Sequence, residues 1–555
     1  MLKLKIVSSQ EKAFFEDSID SFSPLKKISA LWGEKLSLQL LHVDTQEGEY
    51  LPRRALCNID IGGELKDYIT LREVRSVPVD RPTLPGVDDG QYLRLTPGVY
   101  PDILTPMRYR GMLCPSRDKL RSVWIEISIP DTLSGEHILT LTLTEPETGL
   151  SFSESVTVEI IPVRLPEQRT HFTQWFYPDC LASYYNVEPW SDRHFEIVEN
   201  FIRTAVERGR DTMYVPLFTP ALNVLPGYER VPVQLVRVSL DEGRYSFDFS
   251  LLEKYLDICD RAGVKLFEIS HFYQQSMGKY SAHIYATVDG EYKLLFGWET
   301  LALDEEYVRF LRELVTAFVE YMKQRGDDHR CIYHISDEPY LSYIDQYKAM
   351  KETLADVLSG YKIMDALSDF EFYKHGVLDH PVPTTASAPS FIEAGVKDLW
   401  VYYACNQIEN YSNCYLAMPS WRTRSLGMQL YKYNIDGFLH WGFNYYNNRA
   451  SADPINPYME LGGEDWVPAG DCFVVYPGQD GKPLESIRLM SLEEAMQDVR
   501  AMQLAEKYYS HSEIVAEIER VLSDELTFER CAHSSCEMLR VRERINEMIK
   551  AKYAN

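Results

Sequence analysis

Two adjacent carboxylates, Asp337 and Glu338, stand in the segment "YHISDEPY" directly after an apolar run. Neighbouring acids could divide the work of a hydrolysis, one transferring a proton and the other stabilising positive charge. The same segment also fits a helix start, because a Ser or Asp cap, an acid in the first turn and an early proline are typical of helix N-termini. The local sequence therefore allows both catalysis and helix capping.

The apolar run "CIYHI" before the pair predicts the fourth strand in a series of strand–helix units. In a (β/α)8 barrel the catalytic groups lie at the C-terminal ends of the strands. Ser336 could then begin the following helix while both acids face a pocket. The helix dipole would favour their ionised forms, whereas burial would raise their pKa values. We therefore expect an active site at Asp337 and Glu338.

An opposing carboxylate is not evident on the late strands "LWVYYACN" and "FLHWGFNYY". Ordinary retaining and inverting glycosidases place two acids on opposite sides of the scissile bond. Adjacent acids suit a substrate-assisted glycosidase instead, in which the sugar's 2-acetamido oxygen is the nucleophile. One acid then protonates the leaving oxygen, and its neighbour orients the acetamido group. Asp365 is the best strand-borne candidate for a distant nucleophile, so that alternative stays open; Glu268 lies in mid-strand.

Aromatic and polar side chains near the predicted strand ends could contact a sugar, although each could also be a core residue. Trp400 and Tyr402 share one face of their strand by period two, and Tyr403 lies on the other face. A ring there could stack on a pyranose, and a phenol could hydrogen-bond an acetamido oxygen. Further candidates stand near other strand ends: Trp175, His271, Trp441 and Asn444. Gly442 would permit a close approach by substrate or by a neighbouring strand.

Residues 1–165 are predicted to form an antiparallel β-sandwich. Segments such as "LSLQLLHV" and "VWIEISI" alternate apolar and polar residues, and no convincing helical period appears among them. The proline-containing segment "PVRLPEQRTH" is predicted to be the domain boundary. The N-terminal domain would thus precede the strand–helix series that carries the two acids.

Short strands alternate with amphipathic helices over residues 166–510. About eight such units predict a (β/α)8 barrel of the TIM type, with insertions that include a hairpin in "VPVQLVRVSLDEGRYSFDF". A doubly wound open sheet is the alternative, but no glycine-rich phosphate loop supports it. Residues 511–555 are charged and helical in pattern, and are predicted to be a C-terminal appendage.

The overall composition disfavours several function classes. The chain carries 83 acidic and 57 basic residues, a formal charge of −26, which disfavours binding to nucleic acid or to an anionic membrane. Its ten cysteines are scattered without a CxxC pair, which indicates reduced thiols in a cytoplasmic protein and no zinc cluster. We see no secretory signal and no apolar run of about 18 residues that would predict a membrane span.

These motifs together resemble glycoside hydrolase family 123. "PGVYPDILTP" and "SVWIEISIPDTLSGEHILTLTL" resemble its N-terminal sandwich, and "HISDEP" resembles its catalytic Asp-Glu segment. "GFLHWGFNYYN", "AGDCFVVYPG" and "ESIRL" resemble its C-terminal barrel signature, with Tyr446 where the family commonly has tryptophan. The resemblance implies a retaining β-N-acetylgalactosaminidase with a substrate-assisted mechanism. It implies Glu338 as general acid/base, Asp337 as the residue that orients the acetamido group, and no metal or organic cofactor.

The leading hypothesis is therefore an exo-glycosidase that acts on β-linked 2-acetamido sugars, with short oligosaccharides as substrates. One alternative is a glycosidase for a sugar without an acetamido group, in which Glu338 works with a distant nucleophile such as Asp365. A second alternative is a carbohydrate-binding protein on a barrel that has lost catalysis.

Overall fold

The structure is a computed structural model that describes residues 2–45, 56–108, 111–275, 278–464 and 466–553. The chain divides into two compact units. The sandwich unit comprises Met1–Arg169, Ile408–Asn434 and Leu484–Asn555, and the barrel unit comprises Thr170–Gln407 and Ile435–Pro483. The first break in the chain thus falls near the predicted boundary, but two later segments join the N-terminal domain.

Two β-sheets make up the N-terminal part of the sandwich unit. Their strands, within the described ranges, are β1 Leu2–Ser8, β2 Lys27–Trp32, β3 Lys35–Asp44, β4 Cys57–Gly62, β5 Ile69–Val79, β6 Gly98–Pro106, β7 Met112–Leu113, β8 Arg121–Ser128, β9 Gly135–Thr144 and β10 Ser151–Arg164. One sheet runs β1-β3-β8-β5-β6, and the short strand Pro483–Ser486 continues it beside β6. The other runs β2-β10-β9-β4-β7. The β2–β10 pair is parallel, which departs from the purely antiparallel prediction.

Alternation along the strands gives the two sheets one shared core. In β9, Leu139, Leu141 and Leu143 are buried on one face. On the other face, Thr140, Thr142 and Thr144 hydrogen-bond serines of β10 across the strand pair. A single apolar cluster joins residues of both sheets, including Leu38, Ile125, Leu141 and Val158. This arrangement is consistent with the predicted sandwich.

Eight parallel strands form the core of the barrel unit, as far as the structure describes it. They are β11 His171–Gln174, β12 Thr212–Val215, β15 Leu266–Ile269, β18 Cys331–Tyr333, β19 Lys362–Ala366, β20 His380–Val382, β21 Trp400–Tyr402 and β22 Gly437–His440; between them lie β13 Arg237–Asp241, β14 Arg244–Asp248, β16 Ile284–Val288 and β17 Glu291–Phe296. The barrel order is β20-β19-β18-β15-β12-β11-β22-β21. A parallel bridge between Thr384 and Tyr402 nearly closes it.

The four intervening strands form a separate small sheet in the order β14-β13-β16-β17. β13 and β14 pair as an antiparallel hairpin, which confirms the predicted hairpin insertion. A further short strand, Tyr476–Pro477, lies near the end of the barrel unit's second segment.

Helices follow the barrel strands in chain order. Those of the barrel unit, within the described residues, are α1 Pro178–Tyr185, α2 Asp192–Glu207, α3 Ser250–Ala262, α4 Glu305–Arg325, α5 Ile344–Glu352, α6 Phe370–Lys374 and α7 Ala388–Glu393. Their ends follow local sequence signals. Ser191 caps α2 by accepting the backbone N–H of His194, and Asp304 caps α4 by accepting the backbone N–H groups of Glu306 and Tyr307. Gly326 ends α4 at φ +83°, a conformation that favours glycine.

The remaining described helices belong to the sandwich unit: α8 Ser420–Arg424, α9 Leu426–Lys432, α10 Ile487–Ala505, α11 His511–Leu522 and α12 Ser535–Tyr553. Short 3-10 turns occur at Ile19–Ser21, Lys66–Tyr68, Asp328–Arg330 and Leu341–Tyr343. Ile518 of α11 and Ile545 of α12 share one apolar cluster with Leu31 of β2 and Met502 of α10. The C-terminal residues are helical, as predicted, but they pack into this core and are not an appendage.

A buried ion pair joins α10 to β6 inside the sandwich unit. Both side chains are buried, with Arg488 Nη2 lying 2.9 Å from Asp102 Oδ2. Replacing Arg488 with methionine would leave the Asp102 charge buried without this partner. We expect that change to lower the free energy of unfolding by about 3–5 kcal/mol. The exposed Arg312–Asp356 pair is the control, and Arg312→Met should cost at most about 1 kcal/mol.

Urea denaturation followed by tryptophan fluorescence would measure both changes against the unaltered protein. Equal unfolding midpoints for Arg488→Met and the unaltered protein would contradict a stabilising role for the buried pair.

Candidate active site

Asp337 and Glu338 lie in the loop that follows β18, the fourth barrel strand in chain order. The next helix, α5, begins only at Ile344, and its N-terminal cap position is Tyr343. The prediction that Ser336 or one of the acids starts this helix is therefore wrong. The backbone explains the difference, because Glu338 has φ +46°, which is outside the right-handed helical region. The acids are thus held by the loop and not by a helix terminus.

The Asp337 carboxylate is buried and only partly bonded. Its side chain is held by Gln275, whose Nε2 donates to Oδ2 over 2.7 Å. No donor among the described residues reaches Oδ1, which is also buried. Burial raises the pKa of Asp337 well above its ordinary value, and the negative charges of Glu338 and Asp365 raise it further. Oδ1 is therefore a buried acceptor that a substrate N–H group could bond.

Glu338 is exposed to solvent, in contrast to its neighbour. Its backbone N–H donates to the carbonyl oxygen of Ala366 over 3.1 Å, which ties the loop to the end of β19. Its carboxylate oxygen Oε1 accepts a hydrogen bond from the phenol of Tyr402 at the end of β21. A left-handed backbone is strained for glutamate and persists only where the surroundings impose it. Such strain is common at functional sites. With this backbone conformation the two successive carboxylates lie in different environments, one buried and one exposed.

Asp365 accepts hydrogen bonds from the backbone of the loop that carries the two acids. Its carboxylate accepts the backbone N–H of Ile335 over 3.1 Å and the phenol of Tyr347 over 2.5 Å. The N–H of Ser336 also points to it, over 3.5 Å. Asp365 is 0% exposed. A nucleophile must reach the sugar's anomeric carbon, so this geometry does not favour Asp365 in that role.

A buried acid–histidine–acid triad comprises Glu268 in β15, His334 directly after β18 and Asp365 in β19. His334 Nε2 lies 3.0 Å from Glu268 Oε1, and His334 Nδ1 lies 3.3 Å from Asp365 Oδ1. Burial by itself would lower the pKa of His334, but the two carboxylates outweigh it and raise the pKa to about 10. Glu268 also accepts hydrogen bonds from Thr173 and from the indole of Trp175, at 2.5 Å and 2.7 Å. The two carboxylates therefore favour the protonated form of His334.

His271 stacks on this imidazolium, with ring centroids 4.4 Å apart and ring planes 19° apart. Burial, followed by the charge of His334, lowers the pKa of His271 well below its ordinary value, so its ring is neutral. Ligand atoms of His271, His334 and Asp365 lie within 4.8 Å of one another, as a metal site would require. The nearly parallel rings do not direct their lone pairs to one point, and His334 already pairs with two carboxylates. The geometry fits an ion-pair network better than a metal site.

Three of the predicted sugar contacts lie close to Asp337 and Glu338 or to the ion-pair network of Glu268, His334 and Asp365. Tyr402 bonds Glu338 directly. Trp175 and His271 meet edge to face at 5.4 Å, and Trp175 bonds Glu268. A fourth predicted contact, Trp441, follows the end of β22, is 8% exposed, and donates its indole N–H to Asp471 over 2.8 Å. A role for these residues in sugar binding stays a prediction.

The other predicted contacts occupy packing positions. Trp400 is the first residue of β21, so it lies at the strand end opposite to the acids, stacked on His171 at 5.6 Å. Tyr403 is buried against Phe438 at 4.8 Å. Asn444 is buried and exchanges two hydrogen bonds with the backbone of Tyr177. The geometry therefore does not favour these three side chains as direct sugar contacts.

The close approach at Gly442 is made by the protein itself. A Cβ at this position would lie 2.4 Å from the carbonyl oxygen of Cys472. Tyr446 is also buried, and its phenol donates to the carbonyl oxygen of Val475 over 2.8 Å. This segment therefore carries packing residues beside Trp441.

Sequence reasoning missed Gln275 and Asp471, which bond Asp337 and Trp441. Gln275 follows the third barrel strand in "HFYQQ", and a polar residue just beyond a predicted strand end was the available signal. Asp471 stands within "AGDCF", and nothing local links it to Trp441.

The Tyr402–Glu338 hydrogen bond leads to a first test of the site. Replacing Tyr402 with phenylalanine keeps the ring but removes the donor, so the Glu338 carboxyl loses an orienting partner. We expect kcat to fall about tenfold, the size of one hydrogen bond to a charged group, with little change in thermal stability. Tyr403→Phe, on the neighbouring buried ring, is the control. Unchanged kcat in Tyr402→Phe would show that the bond does not orient the acid.

Comparison with known proteins gives a family match. The sequence matches the catalytic-domain model of glycoside hydrolase 123 over residues 175–505, a stretch that contains both acids. No curated protein matches the sequence. No helix among the described residues is long and apolar enough to span a membrane.

Comparison with solved structures gives a fold match. A family 123 glycoside hydrolase from Clostridium perfringens, studied for glycolipid glycan hydrolysis, is 15% identical with a TM-score of 0.76, over 100% of this chain and 99% of that chain. A Parabacteroides merdae β-glucuronidase is 12% identical with a TM-score of 0.29, over 87% and 51% of the two chains. A Thermotoga petrophila endo-β-1,4-mannanase is 12% identical with a TM-score of 0.34, over 60% and 77%. The first likeness extends the shared fold to the whole chain.

Proposed function

The chain belongs to glycoside hydrolase family 123, and from this we propose that it is a retaining exo-glycosidase for β-linked 2-acetamido sugars. The proposed nucleophile is the acetamido oxygen of the substrate. The observation that carries the proposal is the pair of successive carboxylates after the fourth barrel strand. One of them, Asp337, is buried with an acceptor oxygen that no donor among the described residues reaches, and the other, Glu338, is exposed.

In the first step we assign the proton transfer to Glu338. Protonated Glu338 gives its proton to the glycosidic oxygen as the bond from that oxygen to the anomeric carbon breaks. The acetamido oxygen attacks the anomeric carbon from the opposite face and forms a cyclic oxazolinium ion. Asp337 accepts the acetamido N–H and stabilises the positive charge that develops on the ring.

In the second step the Glu338 carboxylate takes a proton from water, and that water attacks the anomeric carbon. The oxazolinium ring opens, the acetamido group is restored, and Glu338 is protonated again. Two inversions give net retention of configuration. Exchange of protons with solvent is easy for Glu338, because its side chain is exposed.

The environment of Asp337 supports its assigned role. A carboxylate in a buried site interacts more strongly with a nearby positive charge than one in water does. Gln275 fixes one carboxylate oxygen, so that Oδ1 keeps a defined direction for a substrate N–H. Asp365, the alternative nucleophile, is fully buried and bonded to the loop and to Tyr347.

The proposal includes a catalytic barrel with (β/α)8 architecture, since helices follow each of the eight parallel strands in chain order. It includes a galacto-configured sugar, and glycans of glycolipids belong to the substrates to be tested because the Clostridium perfringens relative was studied with them. It also includes a cytoplasmic location, which the ten free cysteine thiols support.

Hydrolysis of a panel of aryl glycosides tests the proposed function. The panel contains β-N-acetylgalactosaminide, β-N-acetylglucosaminide, β-galactoside and β-glucoside with one aryl group. We expect turnover of a 2-acetamido sugar and at least about 10³-fold less of the plain glycosides, because these lack the internal nucleophile. Rapid turnover of a plain glycoside would contradict the mechanism. Turnover of no glycoside would favour a carbohydrate-binding protein instead.

A further inference from the structure

The triad of Glu268, His334 and Asp365 has no part in the reaction steps, although Asp365 is hydrogen-bonded to the loop that carries Asp337 and Glu338. Its side chains are all buried, with exposed fractions of 1%, 1% and 0%. Burying two carboxylates and one imidazolium has a large desolvation cost, and apolar side chains of similar volume would often give equal or greater stability. The fold therefore does not need these charges for packing alone.

The triad reaches the catalytic loop through the backbone. Asp365 holds the N–H of Ile335 and approaches the N–H of Ser336, the two residues that precede Asp337. His334 itself precedes Ile335, and its carbonyl oxygen accepts the N–H of Phe272 over 3.3 Å. One side chain of the triad thus belongs to the loop, and a second one fixes the backbone next to the acids.

The triad also acts on Asp337 through charge. The negative charge of Asp365 raises the pKa of Asp337, and the positive charge of His334 lowers it. The larger influences on this pKa are burial and the adjacent Glu338. The charge of Asp365 beside Asp337 therefore disfavours ionisation of Asp337, and the charge of His334 opposes that effect.

We propose that Glu268, His334 and Asp365 form a positioning triad, which fixes the catalytic loop and sets the charge state of Asp337. Glu268 keeps His334 protonated, and His334 partly neutralises Asp365. Asp365 can then bind the loop without preventing Asp337 from ionising. The inference rests on the proposed function, because Asp337 must be ionised to stabilise the oxazolinium ion.

Several titratable groups face the members of this network. Those that act on Asp337 from the elements around it are Glu338, Asp365, His334, Tyr214 and Tyr402. Around the triad itself the titratable neighbours are His271, stacked on His334, Tyr347, bonded to Asp365, and Tyr214, whose pKa the charge of Glu268 raises. His271 is neutral because of burial and the nearby imidazolium, and burial raises the phenol pKa values of Tyr214, Tyr347 and Tyr402. Asp365 and His334 are therefore the charges to alter.

The acidic limb of the pH profile of kcat/KM tests the proposal, because this limb reports a group that must be ionised in the free enzyme. Asp365→Asn removes a negative charge, so Asp337 should ionise more readily and the limb should move to lower pH. His334→Gln removes a positive charge, so the limb should move to higher pH. We expect shifts of about one pH unit in opposite directions, the size of one charge interaction in a partly buried site.

Asp211→Asn is the matched control. Asp211 also pairs with a histidine of the barrel, since its Oδ2 lies 2.9 Å from His171 Nδ1. It holds the backbone N–H of Phe172 as well, but at the strand starts, far along the strands from the acids. This variant should lower stability without moving the acidic limb. Equal limb positions in Asp365→Asn, His334→Gln and the unaltered enzyme would overturn the proposal, even if kcat falls.

A measurement on the unaltered protein covers the case in which a triad variant does not fold. In protein labelled with 15N-histidine, one imidazolium with both nitrogens protonated should persist at pH 8, because the pKa of His334 is raised to about 10. Only neutral imidazoles at pH 8 would overturn the triad. An enzyme inactive on every glycoside, but with this imidazolium, would instead contradict the proposed function alone.

Discussion

Replacing Glu338 with glutamine is expected to lower kcat about 10²–10⁴-fold on 2-acetamido sugars with a poor leaving group, such as an alkyl alcohol or a second sugar. The amide cannot donate a proton to the glycosidic oxygen, so the loss is largest when the leaving group needs that proton most. With a dinitrophenyl leaving group, which departs without protonation, formation of the oxazolinium ion should be nearly as fast as before. The side chain is exposed, so this variant should fold normally.

Steady-state kinetics over a series of aryl leaving groups, with and without azide, would measure this effect. Azide needs no general base, and it should restore turnover on the dinitrophenyl substrate and give the β-glycosyl azide. Glu371→Gln is the control, because Glu371 is an exposed acid in the first turn of α6, after the next barrel strand. An equal loss with all leaving groups would contradict the acid/base role of Glu338.

The second large effect is expected at Asp337. Asparagine in place of Asp337 removes the negative charge that faces the oxazolinium ion, and kcat should fall about 10²–10³-fold. This loss should be similar for good and poor leaving groups, because the charge stabilises ring closure and not proton transfer. Affinity for the thiazoline analogue of the cyclised sugar should fall as well, since the ring nitrogen loses its anionic partner.

Kinetics with the same leaving-group series, together with thiazoline inhibition constants, would separate this effect from that of Glu338. Asp345→Asn, an exposed acid in the first turn of α5, is the control and should leave both quantities unchanged. Full thiazoline affinity in Asp337→Asn would contradict the assigned contact.

The two acids could be predicted as site residues from the sequence. A carboxylate pair that follows an apolar run in a strand–helix series is expected at the C-terminal end of a barrel strand, where active sites lie. The role of the surrounding backbone could not be predicted. "SDEP" contains every local signal of a helix start, but Asp365, about thirty residues later, holds the N–H groups of Ile335 and Ser336. That contact is fixed by pairing of neighbouring strands, which local patterns do not encode.

Trp400 and Tyr402 show the limit of strand periodicity. The prediction that they share one face follows from period two. Period two does not give the position of a residue along the barrel axis. The strand β21 contains only Trp400–Tyr402. The first residue of this short strand stacks on His171 at one end, and the last bonds Glu338 at the other.

The triad and the packing of the C-terminal helices could not be predicted, for the same physical reason. Glu268, His334 and Asp365 lie in or directly after strands that are neighbours in space but distant in sequence. The apolar stripes of α11 and α12 indicate that these helices need a partner, but the stripes do not say which. The partner is the core around Leu31 and Met502.

The central claim is that the substrate's own acetamido oxygen attacks the anomeric carbon. The most direct test is kcat for one aryl 2-acetamido sugar whose N-acetyl group carries zero, one, two or three fluorine atoms. Each fluorine withdraws electrons from the carbonyl oxygen and weakens it as a nucleophile. The account predicts that kcat falls steeply at each step, because this oxygen forms the bond in the transition state. A kcat that is independent of fluorine number would contradict it and would assign the attack to a nucleophile of the protein.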